Sequence, residues 1–134
     1  MRESAHAIAQ QSYSRCLRSP DFIPRFYEHL LASDARVPPM FAKTEFPRQY
    51  KLLQHALGLL LSYGNRPDDA LLERLAARHS KGAIDVPPAM YNAFVSSLLA
   101  AIREHDPRCN GETESAWRDA LEPGIRYMQS RYDA

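Results

Sequence analysis

His79 is the residue whose type and position most clearly suggest chemistry. It ends an apolar helical face formed with Leu72, Leu75 and Ala76, and a loop from Ser80 to Val86 follows it. An imidazole buried without a partner costs about 1–3 kcal/mol, so this ring must bind something. A backbone carbonyl would satisfy the ring in a protein core, and a metal would satisfy it in a binding site. This stretch by itself leaves both interpretations open.

The other four histidines fit a ligand role less well. Two of them, His6 and His105, are predicted near helix ends among polar neighbours. His29 precedes a buried leucine pair, and His55 falls off the leucine stripe of its helix. The pattern therefore predicts that all four are solvated rather than ligating.

Composition narrows the classes of function. The chain has 134 residues, of which 45% are hydrophobic and 25% charged, and these values fit one domain spanning residues 1–134. A net charge of +1 gives no electrostatic case for nucleic acid or an acidic membrane. Two cysteines, Cys16 and Cys109, suggest reduced thiols rather than a disulfide scaffold. With no secretory signal and no apolar run of about 20 residues, a cytoplasmic location is expected.

Helical spacing of apolar residues dominates the chain, and no convincing alternating strand pattern occurs. The sequence therefore predicts an all-α protein. The predicted helices run from about Ser4 to Leu17, from an Asp21 cap through Leu31, from Thr44 and Pro47 to Gly64-Asn65, from Asp68-Asp69 to His79, from Pro87-Pro88 to Asp106, and from Asn110 or Thr113 to the C-terminal region.

Several local features carry separate predictions. Residues 34–44 should form an irregular connection whose apolar side chains point inward. Gly64 should end its helix in the left-handed conformation, and Leu17 should point inward. Pro123 lies inside the last helix and predicts a kink there, with Gly124 relieving the crowding.

Five short motifs, in order and at similar spacing, resemble bacterial single-domain globins. They are Phe26-Tyr27, Pro39-Met40-Phe41, Leu75-Ala76-Ala77-Arg78-His79, Pro88-Ala89-Met90-Tyr91 and Ala116-Trp117. The resemblance covers nearly the whole chain. It implies a globin fold whose helices pack around a haem pocket.

The resemblance also implies the cofactor and its ligand. A haem b would lie between the helix containing Leu53 and the helix containing His79, and His79 would bind iron through Nε2. The Nδ1–H of His79 should donate to a carbonyl one turn earlier, that of Leu75. Phe41 corresponds to the phenylalanine that stacks on the porphyrin, and Tyr91 is expected to contact the cofactor.

Tyr27 corresponds to the distal residue of many bacterial globins, where a phenol donates to bound oxygen. A core aromatic with its hydroxyl at the surface is the alternative. Counting onward from Phe41 favours Gln49 as the second distal residue. A shift of two residues would place Lys51 there and His55 on the haem side, stranding polar groups among leucines. Tyr50 is bulky where globins often have a small residue.

Two departures from flavohaemoglobin-type globins bear on turnover. The loop after His79 is about two residues longer, and the last helix reads Ser130-Arg131-Tyr132 where those relatives have a supporting glutamate. The chain ends at Ala134 with no flavin or nicotinamide domain, so electrons are expected from a separate reductase.

The implied function is reversible binding of dioxygen and related diatomic gases, carbon monoxide and nitric oxide among them. Oxidation of nitric oxide with an external reductase is an added activity that the resemblance allows. A haem-based gas sensor that signals to a separate partner protein is the alternative function. A helical scaffold without haem is disfavoured by the presence of both His79 and Phe41.

Overall fold

The computed structural model describes residues 3–133, and in that part of the chain it contains seven α-helices and no strand. This confirms the all-α prediction. The helices are α1 (Ala5–Cys16), α2 (Phe22–Ser33), α3 (Val37–Met40), α4 (Phe46–Asn65), α5 (Asp69–His79), α6 (Met90–His105) and α7 (Gly111–Ser130).

Polar caps begin three of these helices. Ser4 accepts a hydrogen bond from the backbone of Ala7 at the start of α1, and Asp68 accepts one from Ala70 at the start of α5. Asn110 and Thr113 form a reciprocal capping box at the start of α7, which satisfies backbone N–H groups that the first helical turn leaves unpaired. The predicted cap at Asp68 and the start at Asn110 are confirmed.

The connection predicted as irregular between residues 34 and 44 contains the short helix α3, so that prediction is wrong in part. Pro38 stands in its first turn, where a missing N–H costs nothing. Val37 is buried, while Met40 and Phe41 are half-buried. The apolar content of the segment thus points inward as expected, but on a helical turn.

One predicted helix start and one predicted helix-ending conformation are also wrong, although α4 does end at Asn65 as expected. The sixth helix begins at Met90 rather than at Pro87-Pro88, because these prolines form the turn that precedes it. Gly64 does not end α4 in a left-handed conformation, since no glycine in residues 3–133 has a positive φ. A Cβ at Gly64 would lie 2.0 Å from the carbonyl oxygen of Ala120, so this glycine allows α4 and α7 to approach closely.

Gly124 has a packing role that differs from the predicted relief of Pro123. A Cβ at Gly124 would lie 2.7 Å from Cδ2 of Leu60, which makes it a second point of close contact between α7 and α4. The helix α7 continues through Pro123. A kink at this proline stays a prediction.

The core forms where α1 packs on α7, α2 on α6 and α4 on α7. Its fully buried side chains include Phe22, Leu57, Leu98 and Trp117. Leu17 was expected to point inward but is 37% exposed, because α1 ends at Cys16 and the chain turns outward there. No helix in residues 3–133 is long and apolar enough to cross a membrane.

Candidate functional site

A cavity of about 220 Å³ lies among α2, α4, α5, α6 and the C-terminal half of α7. Its walls are mostly apolar, as expected of a site for an organic ligand. The side chains lining it that carry polar atoms are Tyr27, Gln49, His55, Arg78, His79 and Tyr91. The cavity thus brings together every site residue predicted from the sequence, since Phe41, Leu53 and Leu75 also line it.

His79 is the last residue of α5, and its ring faces this cavity. Nδ1 lies 2.8 Å from the carbonyl oxygen of Leu75. A carbonyl can only accept, so Nδ1 carries the proton and the lone pair belongs to Nε2. This is the hydrogen bond expected from the sequence.

The second nitrogen of His79 is chemically open. Nε2 makes no hydrogen bond within residues 3–133. Every fully buried side-chain nitrogen or oxygen atom in these residues has a hydrogen-bond partner, so Nε2 is not fully buried. Nε2 therefore opens onto the cavity. Burial lowers the pKa of His79 below its ordinary value despite the hydrogen bond to Leu75, so near neutral pH the ring is an uncharged donor of an electron pair.

The loop after His79 folds back onto the end of α5 and is held by the C-terminal segment. The backbone N–H of Val86 donates to the carbonyl of His79 at 3.1 Å. From the far side, the N–H of Lys81 donates to the carbonyl of Tyr132 at 2.8 Å, and the Tyr132 hydroxyl donates to the Asp85 carboxylate. Asp85 has φ of 60°, a left-handed conformation that these contacts stabilise.

Tyr27 is 3% exposed and lines the same cavity from α2. The amide Nε2 of Gln49 donates to its phenol oxygen at 3.0 Å. Burial raises the pKa of Tyr27 to about 12, so the phenol keeps its proton. That proton has no acceptor within residues 3–133, and the alternative of a core tyrosine with a surface hydroxyl is wrong.

The side-chain register of α4 separates the two distal candidates. Gln49 lines the cavity, whereas Lys51 is exposed and does not line it. His55 is exposed and reaches only the rim. The sequence analysis missed Leu52 and Ala56, which also line the cavity. The helical period counted from Gln49, at i+3, i+4 and i+7, would have found both.

Four aromatic rings surround the ring of Tyr27. Phe41, Phe46 and Tyr50 each lie with ring centroids 5.6 Å from it, and Phe26 lies 5.0 Å away. Phe41 also forms part of the cavity wall, while Tyr50 does not line the cavity. The bulk of Tyr50 therefore lies outside the cavity wall, on the outer side of the Tyr27 ring.

Three of the four other histidines are less exposed than predicted, although none of these three lines the cavity. His6, His29 and His105 are half-buried and each ring has a partner. His6 approaches the carbonyl of Leu61 at 3.1 Å, His29 approaches Glu104 at 2.5 Å, and Nδ1 of His105 donates to the carbonyl of Ala101 at 2.8 Å. Only His55 among the four is exposed.

Protein side chains do not by themselves form a metal site in the part of the chain that is described. No group of three or more His, Cys, Asp or Glu residues lies together there. Among the described residues, His79 is the one partly buried histidine that lines the cavity, so a metal at its Nε2 would need further ligands from an organic cofactor. At the rim, Arg78 and His55 are exposed beside the apolar walls, and Arg78 forms no ion pair within residues 3–133.

The fold and the cavity together define an α-helical protein built around an apolar ligand site with one open imidazole. The globin family model matches residues 25–125, and the chain belongs to the globin family. It is also similar to a Pseudomonas aeruginosa protein whose crystal structure is described as structurally highly homologous to a human haemoglobin. The two are 37% identical over 98% of this chain and 100% of that chain, with a TM-score of 0.95. No curated protein matches the chain.

Proposed function

We propose that this globin binds haem b in the cavity through His79 and binds dioxygen reversibly on the side of Tyr27 and Gln49. Iron in the haem supplies the site at which the gas binds. The protein residues hold the cofactor, exclude water and supply one directed proton to the gas.

His79 fits the role of the iron ligand. Its Nδ1–H is committed to the Leu75 carbonyl at 2.8 Å, which fixes the tautomer and aims the Nε2 lone pair at the cavity. A partner on the second nitrogen is the usual arrangement around a metal-bound imidazole. The lowered pKa of His79 keeps that lone pair free of a proton near neutral pH.

The walls and rim fit a flat apolar molecule that carries charged groups at one edge. Leucine, methionine and aromatic side chains form most of the lining, and Phe41 supplies an aromatic ring to it. Arg78 and His55 lie exposed at the rim, where the carboxylates of a haem would meet them. Charged carboxylates at the rim would stay solvated while the ring system is buried.

One observation carries the oxygen-binding proposal: the buried phenol of Tyr27 has a proton without an acceptor among residues 3–133. The side-chain amide of Gln49 donates to the phenol oxygen at 3.0 Å, which leaves the O–H of Tyr27 free to donate into the cavity. Bound dioxygen carries partial negative charge, so a fixed donor in a dry site stabilises it. Nitric oxide oxidation and gas sensing would use the same cavity, and no described contact favours either over reversible oxygen binding.

Titration with haemin tests the proposal, with absorption spectra recorded in the ferric, ferrous and carbon monoxide-bound forms. The wild-type protein should bind one haem per chain and give the spectrum of a histidine-ligated globin. The variant His79→Ala should lose stable stoichiometric haem, because no other partly buried histidine in residues 3–133 lines the cavity.

His105→Ala is the matched control. His105 also ends its helix and also donates Nδ1–H to a carbonyl four residues earlier at 2.8 Å, but it does not line the cavity. Its removal should leave haem binding unchanged. Stoichiometric haem with unchanged proximal coordination in His79→Ala would remove the proposal.

A further inference from the structure

The outer side of α5 carries a surface that the oxygen-binding proposal does not use. Leu71, Arg74 and Arg78 follow one another at spacings of three and four residues, which places them on one side of the helix. Lys81 and Ile84 lie in the loop after α5, and the N–H of Ile84 donates to the carbonyl of Arg78 at 3.0 Å. All five residues are exposed. We call these five residues the α5 surface.

The α5 surface is positively charged. Its three cations form no ion pair within residues 3–133. Glu73 precedes Arg74 but lies about 100° around the helix from it. Asp85 follows in the loop, where its carboxylate accepts a hydrogen bond from the Tyr132 hydroxyl. Both carboxylates thus leave the three cations without a direct partner.

Charge is also unevenly distributed along the chain. Residues 43–84, which include α4, α5 and most of the following loop, contain seven Lys or Arg and four Asp or Glu, whereas residues 85–134 contain five and eight. A local field of one sign attracts a partner of the opposite sign and raises its association rate by about 10–10³-fold. A second copy of this chain would place the same cations against each other in a symmetric contact. The partner that fits the α5 surface is therefore acidic.

Two apolar side chains lie among these cations. Leu71 is 36% exposed and Ile84 is 50% exposed, and they are two of the three exposed large apolar side chains in residues 3–133. Apolar contacts within a polar rim are typical of a protein interface. A helix that lies on a membrane instead presents a continuous apolar face. The α5 surface therefore fits a protein partner better than a lipid surface.

The α5 surface adjoins the cavity. Arg78 and Ile84 line the cavity rim, and α5 ends at His79, the residue proposed above to bind the haem iron. Dioxygen binds ferrous iron, so a ferric haem needs one electron before it can bind the gas. A protein docked on the α5 surface would lie beside the edge of the cofactor that requires this electron.

We propose that the α5 surface docks an acidic redox protein that delivers single electrons to the haem. This inference rests on the proposed function, because the electron needs a haem to receive it. In each encounter the partner is oxidised by one electron and ferric iron is reduced to ferrous iron. No covalent bond forms or breaks.

Reduction kinetics test the docking. The probe is reduced plant-type ferredoxin, an acidic one-electron donor, and carbon monoxide traps the ferrous haem in a stopped-flow measurement. Photoreduced lumiflavin, which is small and uncharged, measures access to the haem without docking. The variants are Arg74→Glu, Lys81→Glu and Leu71→Ser. Haem loading and helical content are measured first, by absorption and circular dichroism.

Arg18→Glu is the matched control. Arg18 is exposed, forms no ion pair within residues 3–133 and follows Leu17, which is the third exposed large apolar side chain at 37%. Neither residue lines the cavity. Arg18→Glu therefore makes the same change of charge beside an exposed leucine that lies outside the α5 surface.

Reduction of wild type by ferredoxin should slow as the ionic strength rises. At low ionic strength, Arg74→Glu and Lys81→Glu should each slow it by about tenfold or more, whereas Arg18→Glu should change it much less. Leu71→Ser should slow it at low and high ionic strength alike, because its contact is apolar. Lumiflavin should reduce all the variants at the wild-type rate.

Cross-linking gives a second measurement that does not depend on electron transfer. A carbodiimide joins a lysine amine to a carboxylate in direct contact, and the chain has only three lysines, Lys43, Lys51 and Lys81, all of which are exposed. Peptide mass spectrometry should place the cross-link to ferredoxin on Lys81. The variant Lys81→Arg keeps the charge, so it should lose the cross-link and keep rapid reduction.

Three results would overturn the docking proposal while leaving the haem proposal standing. One is an equal loss of reduction rate in Arg18→Glu and Arg74→Glu. Another is a cross-link found only on Lys43 or Lys51. The third is binding of wild type to phosphatidylglycerol vesicles that Arg74→Glu loses without any change in reduction by ferredoxin, which would assign the surface to a membrane. Failure of wild type to bind haem would overturn both proposals, and the absorption spectrum shows this separately.

Discussion

The C-terminal ends of α5 and α6 have the same local structure, but the histidine at each end has different surroundings. Each helix ends in a histidine whose Nδ1–H donates to the carbonyl four residues earlier at 2.8 Å. The ring of His79 then opens onto the cavity. The ring of His105 instead meets the edge of the Phe22 ring, with centroids 5.8 Å apart, and does not line that cavity.

Asp106, the residue after His105, is buried at the end of α6, and its carboxylate is hydrogen-bonded within the protein. The side chain of Asp106 is fully buried, and its carboxylate accepts hydrogen bonds from Ser12 Oγ at 2.6 Å and from Arg15 Nε at 2.6 Å. The backbone N–H of Arg108 donates to it as well. Ser12 in turn accepts from the indole of Trp117 at 2.9 Å. These bonds join α1, α6 and α7.

The comparison teaches that buried polar groups mark a ligand site only when one of their donor or acceptor atoms has no partner in the surrounding protein. At the α6 end each hydrogen-bonding group of the Asp106 network has its partner inside the protein, so the network can only stabilise the fold. In the cavity, the Nε2 of His79 and the O–H of Tyr27 have no hydrogen-bond partner within residues 3–133. Changes at the two ends should therefore separate stability from ligand binding.

The largest effect on stability is expected from Asp106→Asn. This change removes the charge opposite Arg15, whose side chain is only 16% exposed, and breaking a buried ion pair costs about 3–5 kcal/mol. Urea unfolding of the haem-free protein measures the loss. Haem affinity at low denaturant should be unchanged, and a large loss of affinity in the folded variant would break the comparison.

Glu104→Gln is the control for Asp106→Asn. Glu104 lies on the same final turn of α6 and pairs with Arg25 at 3.0 Å, but both side chains are substantially exposed. An exposed pair of this kind contributes about 0–1 kcal/mol. Equal losses of stability in the two variants would show that burial of the Asp106 network does not matter.

The contribution of the Asp106 network to the free energy of unfolding should depend on pH in the acid range. Burial raises the pKa of Asp106, but the hydrogen bonds from Arg15 and Ser12 outweigh burial and hold the pKa below its ordinary value of 3.8. A lowered folded-state pKa means that this stabilisation is complete above pH 3.8 and is lost as the pH falls through the folded value. The free energy of unfolding should fall less steeply below pH 3.8 in Asp106→Asn than in wild type.

Tyr27→Phe should act at the cavity with little effect on stability. Loss of a hydrogen bond to a polarised partner costs about 1.5–3 kcal/mol, which corresponds to a faster oxygen release by about tenfold or more. Bound carbon monoxide is a poorer acceptor, so its release should change much less. Stopped-flow dissociation measures both, and equal small changes would mean that the phenol does not reach the gas.

The smallest effect is expected from Gln49→Leu. Under the proposed function the amide of Gln49 would act on the gas through Tyr27, so its loss should cost about 0.5–1.5 kcal/mol in oxygen release. The double change with Tyr27→Phe should be non-additive, because the two groups share one hydrogen bond. Lys51→Leu is the control and should be silent. Oxygen release and the carbon monoxide stretching frequency measure both variants. A large effect of Lys51→Leu with no effect of Gln49→Leu would mean that Lys51, two residues along α4, occupies the distal position.

The cavity residues could be predicted from the sequence more fully than the buried hydrogen-bond network of Asp106. His79, Leu75 and Tyr27 lie on short, regular helical patterns, and the hydrogen bond from His79 to Leu75 joins residues four apart. The network of Ser12 and Asp106 joins residues 94 apart in the chain, and neither residue type indicates burial by itself. The roles of Gly64 and Gly124 were likewise hidden, because they depend on which helix packs opposite each glycine.

The sequence by itself determined the all-α class, most helix boundaries to within two residues, and several of the residues that line the cavity, because these follow from the helical period and local capping. The tertiary structure decided which buried polar groups find partners. It joined Gln49 to Tyr27, packed the Tyr50 ring against the Tyr27 ring, and buried Asp106 among three helices. Such pairings depend on how distant helices meet, and no local pattern contains that information.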